Sequence, residues 1–332
     1  VSRLELFRLV ARDDVEAKLI VRQRGRWALR AGPLARRTLP PIKQRQWTLL
    51  VQGLDLQCDR AHEMLARFRF VPEAQLDDLM ISYASDGGGV GPHLDSYDVF
   101  LLQVHGRRRW RIGRVTDPRL VTGLPVKILK HFYPEHEWLL EPGDMLYLPP
   151  QWGHDGIAEG ECMTCSIGFR APSAREVERE LLLRLSDEPG ADPSVLYRES
   201  QQAATPHPGA MPAALRRFAE RAVARAACRP GAAAQVLGQW LTEPKPNVWF
   251  DSGRALDAPV GGVRLDRRTR MIYDRRNLYV NGETYTLAGV QGMLLRRLAD
   301  DRRMNAVSLR SLGRATRALL DRWAQAGWLH EC

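Results

Sequence analysis

The chain has 332 residues, too many for one typical domain and enough to bury a core without disulfide or metal staples. A hydrophobic content of 44% with 27% charged residues is that of an ordinary globular protein, and no apolar run is long enough to cross a bilayer. Five scattered cysteines favour a reduced, cytoplasmic setting, and the net charge of +10 fits either affinity for nucleic acid or ribonucleoprotein, or an Arg-rich proteome with solvated arginine faces.

The chain opens on Val1, which reads as a trimmed start, and shows no signal-peptide pattern. Arg22 to Arg30 and Arg36-Arg37 form a basic stretch broken by Pro33, Pro40 and Pro41. Leu49-Leu50-Val51 reads as a strand, and Ala61 to Phe70 has helical spacing at Met64, Leu65 and Phe68. Met80 to Ala84 is the next strand, followed by Asp86 and three glycines in a loop. Tyr97 to Val104 is expected to turn at His105-Gly106 and pair back as a hairpin with Arg107 to Ile112. Pro142-Gly143-Asp144 marks a tight turn before a strand at Met145 to Leu148, which Pro149-Pro150 ends. Cys162 to Phe169 closes the series, and so many short strands indicate a sandwich or barrel.

After Pro172 the period becomes helical. Ala174 to Leu185 is amphipathic, residues 187–212 are Pro/Gly-rich and irregular, and Ala213 to Cys228 and Ala232 to Leu241 read as helices. Pro244 and Pro246 mark a boundary. Beyond it come short strands at Val263, Met271 and Leu278, an Asn281-Gly282 turn, helices near Val290–Leu298 and Arg314–Gln325, and a closing strand at Gly327 to His330. That order resembles a winged helix. The expected domains are a barrel at 1–172, a helical segment at 173–243 and a winged-helix-like domain at 244–332.

Three residues carry the chemistry. His93 and Asp95, two apart, face the same side if extended, and His154 follows after several strands, presented by a loop set by Pro149-Pro150 and Gly153. Two imidazoles and one carboxylate leave metal positions open, a set suited to non-haem Fe(II) and also compatible with a zinc or manganese cupin. Alternation puts Arg108 beside Trp110 and Ile112 on an inner face. A buried guanidinium costs several kcal/mol unless a carboxylate meets it, whether from Asp98, Asp144 or a ligand. 2-Oxoglutarate would supply both a keto acid for iron and a distal carboxylate for Arg108. Ser82 is placed to assist at that carboxylate, and Thr164, Ser166 and Gly168 share a small, polar face. Asp86 is placed either to grip a cationic substrate side chain or to cap its turn. Cys162 and Cys165, three apart on a strand, face opposite sides. Neither a Gly-x-Ser-x-Gly elbow nor a phosphate loop is present. Arg296, Arg297, Arg302, Arg303, Arg310, Arg314 and Arg317 are either phosphate contacts or a solvated face.

The run from Gly87 to Trp110, the block Glu141-Pro142-Gly143-Asp144, Pro149-Pro150, His154 and the stretch Ser166 to Pro172 resemble the bacterial ribosomal oxygenases of the JmjC/cupin class. Within that family the similarity is greatest to members that hydroxylate an arginine of the sixteenth large-subunit ribosomal protein. The resemblance implies an α+β chain: a double-stranded β-helix, then a helical dimerisation segment, then a winged-helix-like domain. It implies Fe(II) on His93, Asp95 and His154, with 2-oxoglutarate on Arg108 and Ser82. It further implies a ribosomal-protein substrate with Asp86 as guanidinium partner, a homodimer, no membrane partner and no direct nucleic-acid binding. A histidine hydroxylase and a winged-helix DNA-binding regulator with a cupin sensor barrel are the alternatives.

Overall fold

The computed structural model describes residues 1–187, 196–197, 209, 211–227, 230–256 and 261–332, so most of the Pro/Gly-rich 187–212 stretch lies outside the described residues. A capping box between Ser2 and Glu5 starts helix α1 (Arg3–Leu9), which buries Leu6 and Phe7. Strands β1 (Ala17–Gln23) and β2 (Arg26–Ala31) form a hairpin whose two turn residues, Arg24 and Gly25, both have positive φ. The basic Arg22 to Arg30 stretch is therefore the tip of a hairpin. Next come β3 (Trp47–Val51), α2 (Asp59–Ala66), β4 (Leu76–Ala84), the short β5 (His93–Leu94) and β6 (Val99–Arg114). β7 (His136–Leu140), β8 (Met145–Leu148) and β9 (Trp152–Phe169) complete the sheet.

Two long strands build the barrel. Residues 99–102 of β6 pair with β8 and residues 108–112 with β7, while β9 pairs with β6 along nearly its whole length. At its other edge β9 meets β5 near its start and β4 near its end. The result is two four-stranded halves, β4-β9-β6-β8 and β5-β9-β6-β7, which share β6 and β9 as a double-stranded β-helix does. The hairpin expected at His105-Gly106 is absent: β6 runs straight through. Its register against β9 shifts on both sides of His105. Gly106 has φ +60°, a Cβ there would lie 2.0 Å from the Glu161 carbonyl oxygen, and Gln103 Nε2 donates to the His105 and Gly106 carbonyls. A positive-φ glycine thus makes a bulge in place of a turn.

One face of β3, β4 and the end of β9 is covered by α1 and α2. There Trp47, Tyr83, Leu49, Ile81 and Ile167 are almost fully buried, and Phe7 packs edge-on against Tyr83. The opposite face lines the barrel interior.

After β9 come α3 (Ala174–Asp187), α4 (Ala213–Ala227) and α5 (Ala232–Thr242), then β10 (Val263–Leu265). A meander follows, β11 (Met271–Tyr273), β12 (Asn277–Val280) and β13 (Glu283–Thr286), turning at Asn281-Gly282 with both φ positive. The chain ends with α6 (Gly289–Asp301), β14 (Arg303–Met304), α7 (Ala306–Arg310), α8 (Arg314–Gln325) and β15 (Leu329–Glu331). Contacts divide the chain into two units. The first is Val1–Ala171 with Pro244–Thr269 and Arg317–Cys332; the second is Pro172–Glu243 with Arg270–Thr316. In the first, β10 pairs with β15, and buried Asp266 takes hydrogen bonds from Arg268 and His330. In the second, Leu185 of α3 packs on Ala232 and Val236 of α5. There Arg296 lies over the Tyr273 ring and donates to the Arg275 carbonyl, and Arg297 pairs with Asp301.

Candidate metal centre and its pocket

His93 of β5 lies directly opposite His154 of β9, so both imidazoles project from one face. Asp95 follows two residues after His93. The three side chains offer ligand atoms that all lie within 4.8 Å of one another. The two rings are 4.1 Å apart, and His154 Nε2 is 3.7 Å from Asp95 Oδ2. His93 Nδ1 is 2.9 Å from the Gly91 carbonyl and His154 Nδ1 is 3.3 Å from that of Trp152. A carbonyl only accepts, so each Nδ1 carries the proton and each Nε2 keeps its lone pair for a metal. His154 sits within β9, not on the loop expected after Pro149-Pro150. Gly153 serves the outside: a Cβ there would lie 2.6 Å from Val115.

Burial governs the protons. Burial, reinforced by the His93 charge, pushes His154 down to about 3, which keeps it a neutral ligand. Burial raises the Asp95 carboxyl above its ordinary range, against the His93 and Lys127 charges that lower it. A carboxylate held in a site that disfavours its charge, beside two imidazoles, is a donor set that fits a divalent cation.

Arg108 is 4% exposed and does point inward with Trp110 and Ile112, while Arg107, Arg109 and Arg111 point out to Glu159, Glu137 and Asp155. Its Nη1 donates to Ser82 Oγ at 3.0 Å, and its Cζ lies 5.6 Å from the centre of the Trp110 ring. Nε and Nη2 are buried without a hydrogen-bond partner. The two acids considered as counter-ions are engaged elsewhere: Asp98 accepts from Tyr147 and Asp144 from the Glu141 backbone. Two buried guanidinium donors with no acceptor fit a carboxylate-bearing ligand. Arg108, Ser82, Ser166, Gly168 and the three metal-ligand candidates line one cavity of about 140 Å³. Thr164 instead bonds Gln103.

Asp86 is outside that lining. Its Oδ1 accepts from the Gly160 N–H, which holds a turn, and its Oδ2 lies 2.7 Å from Arg45. The cavity wall does carry acids the sequence reading passed over, Asp77 and Asp78, beside Tyr97. The signal was present: Asp78, Met80 and Ser82 alternate along β4. Burial first, then the Asp95, Asp78 and Asp77 charges, push the Tyr97 hydroxyl well above its ordinary range. Lys245 lies 3.4 Å from Asp77 and 3.9 Å from Asp78.

A family profile for the JmjC domain matches residues 63–177, and one for the ROXA-like winged helix matches residues 224–330. The chain is 39% identical over 178 residues to the ribosomal protein uL16 3-hydroxylase of Escherichia coli, covering 53% of this chain and 47% of that protein. It is 34% identical over 174 residues to a probable ribosomal oxygenase of Haemophilus influenzae, 51% of this chain and 43% of that one. The aligned stretch thus spans less than half the length of either relative. Among solved structures, YcfD of Escherichia coli superposes over 99% of this chain and 90% of its own with a TM-score of 0.83 at 26% identity. A YcfD ribosomal oxygenase in complex with cobalt and 2-oxoglutarate does so with a TM-score of 0.78, again at 26% identity and over 99% and 90% of the two chains. Residues 63–177 thus carry the JmjC domain and residues 224–330 the ROXA-like winged helix, in the order and on the fold of YcfD.

Proposed function

We propose that the chain is an Fe(II)- and 2-oxoglutarate-dependent hydroxylase of a ribosomal protein, with an arginine side chain as its target. The observation that carries this reading is Arg108, a buried guanidinium with two unpartnered nitrogens, in the same cavity as an open three-ligand face. The relative named as a uL16 3-hydroxylase and the cobalt and 2-oxoglutarate complex of YcfD support it. With dioxygen, the bound metal and cosubstrate supply the conversion of an unactivated C–H to C–OH, 2-oxoglutarate leaving as succinate and carbon dioxide. His93, Asp95 and His154 would hold the iron. Arg108 and Ser82 would take the far carboxylate and fix the orientation of the cosubstrate. Trp110, close against Gly156, and Ile112 keep water from the inner wall.

An arginine target follows from the resemblance to hydroxylases of the sixteenth large-subunit ribosomal protein, which the relative named as a uL16 3-hydroxylase supports. Asp86, whose Oδ2 already lies 2.7 Å from the Arg45 guanidinium, would be the partner of the substrate guanidinium. Residues 1–172 would be the catalytic domain, 173–243 a helical dimerisation segment and 244–332 the wing, with a homodimer acting in the cytoplasm without direct nucleic-acid contact. Among the described residues no helix is long and apolar enough to cross a membrane. The test is mass spectrometry of ribosomal proteins incubated with the chain. A gain of one oxygen atom on an arginine, dependent on both Fe(II) and 2-oxoglutarate, is expected. Activity with zinc and no 2-oxoglutarate, or no oxygen gained on any ribosomal protein, would end the proposal.

A further inference from the structure

The face that carries the metal centre continues beyond it. Across the sheet, His93 is opposite His154, His154 is opposite Ile112, and Ile112 is opposite His136 of β7. In the next row Gly156, Trp110 and Trp138 are opposite one another. Directly opposed residues share a face. His136 and Trp138 therefore stand on the metal's side of the sheet, two strand spacings or about 10 Å from His154. Both are exposed, Trp138 at 45%.

These rings form a stack. His136 lies 5.3 Å from Trp138 at 21° and 6.3 Å from Trp152 at 24°, and the Arg114 guanidinium sits 5.4 Å from the Trp152 ring centre. The one acid of β7, Glu137, projects from the opposite face and pairs with Arg109. One end of the row thus already holds a guanidinium, while the other ends in an exposed indole.

We infer that this row is a docking platform for the substrate polypeptide, and that an arginine or lysine flanking the hydroxylated residue stacks on Trp138. The inference rests on the proposed hydroxylase reading and extends it to what lies outside the cavity. Three observations select this occupant. The row is continuous with the cavity through Trp110, which lines it. About 10 Å equals roughly three residues of extended chain, so a residue two to four positions from the target reaches Trp138 while the target side chain enters the cavity. Arg114 on Trp152 shows the stacking geometry the platform accepts. A single-stranded nucleic acid, which also stacks on aromatic rings, is the competing occupant.

The experiment measures, on the full chain, calorimetric affinity for a ribosomal-protein peptide alongside peptide KM, 2-oxoglutarate KM and kcat. Trp138→Ala is expected to weaken peptide binding by about threefold to thirtyfold. 2-Oxoglutarate KM and kcat should stay at the wild-type values, and Trp138→Phe should recover most of the loss. Changing the peptide's flanking arginine to glutamine should weaken wild-type binding and leave Trp138→Ala binding unchanged. Peptide affinity equal in wild type and Trp138→Ala, or an equal loss for arginine and glutamine peptides, would overturn the platform. So would a single-stranded RNA whose binding needs Trp138 while that of the peptide does not. Trp138-dependent peptide binding without turnover would leave the platform standing and remove the hydroxylase reading instead.

Discussion

A buried cation with two idle donors is costly to the protein that carries it, and Arg108 is such a cation. Arg108→Met keeps the side-chain volume and removes the charge. The variant is expected to raise the melting temperature of the ligand-free protein, by on the order of 1–4 kcal/mol of stability. It should also lose 2-oxoglutarate affinity by at least tenfold, since a charge-assisted contact contributes roughly 1.5–3 kcal/mol. Calorimetry on the same two samples checks both; affinity near the wild-type value would give Arg108 another role. At this scale much was legible. A two-residue period needs no tertiary knowledge, so it placed Arg108, Trp110 and Ile112 inward and His93 with Asp95. The bond from Gly160 to Asp86 was not legible, because an acid after a strand looks the same whether it grips a ligand or a distant turn, and Gly160 is remote in sequence.

Elements were legible except where two long strands bend. A His-Gly pair between apolar runs is a hairpin signal and a bulge signal alike. Pairing to β9, invisible locally, decides between them. Gly106→Ala would force a side chain into positive φ and against the Glu161 carbonyl. A loss of about 2–4 kcal/mol in urea unfolding is expected, and a loss under 1 kcal/mol would mean the bulge relaxes. The β10–β15 pair gives a pH prediction. Burial would raise the Asp266 carboxyl, but hydrogen bonds from Arg268 and His330 outweigh it and hold the group at about 2, against an ordinary 3.8. A depressed carboxyl stabilises the fold above the unfolded value, and that contribution is lost as pH falls through about 2. Asp266→Asn should therefore cost on the order of 2 kcal/mol at pH 7, with the difference from wild type vanishing towards pH 2. A pH-independent difference would mean packing, not charge, is what the variant removes.

For the whole molecule, the order strands, helices, wing followed from where the hydrophobic period changes. The grouping of residues 244–269 and 317–332 with the barrel did not, because contacts between distant segments leave no periodic trace. The proposed homodimer would bury apolar side chains that the second unit leaves exposed. Leu182 and Leu183 of α3 and Val223 of α4 are more than half exposed, an arrangement that suits a second copy of the chain. Leu182→Glu with Val223→Glu is expected to halve the mass seen by sedimentation at micromolar concentration; an unchanged mass would place the interface elsewhere.

β6 and β9 run through both halves of the barrel, one bearing Arg108, the other His154 and the backbone beside Ser82. On the proposed reading, fraying either strand would loosen the anchors of metal and co-acid in the same event. A partly opened barrel would therefore release its iron with its reductant, and a damaged molecule would be left inert, with no stray oxidant at work inside it.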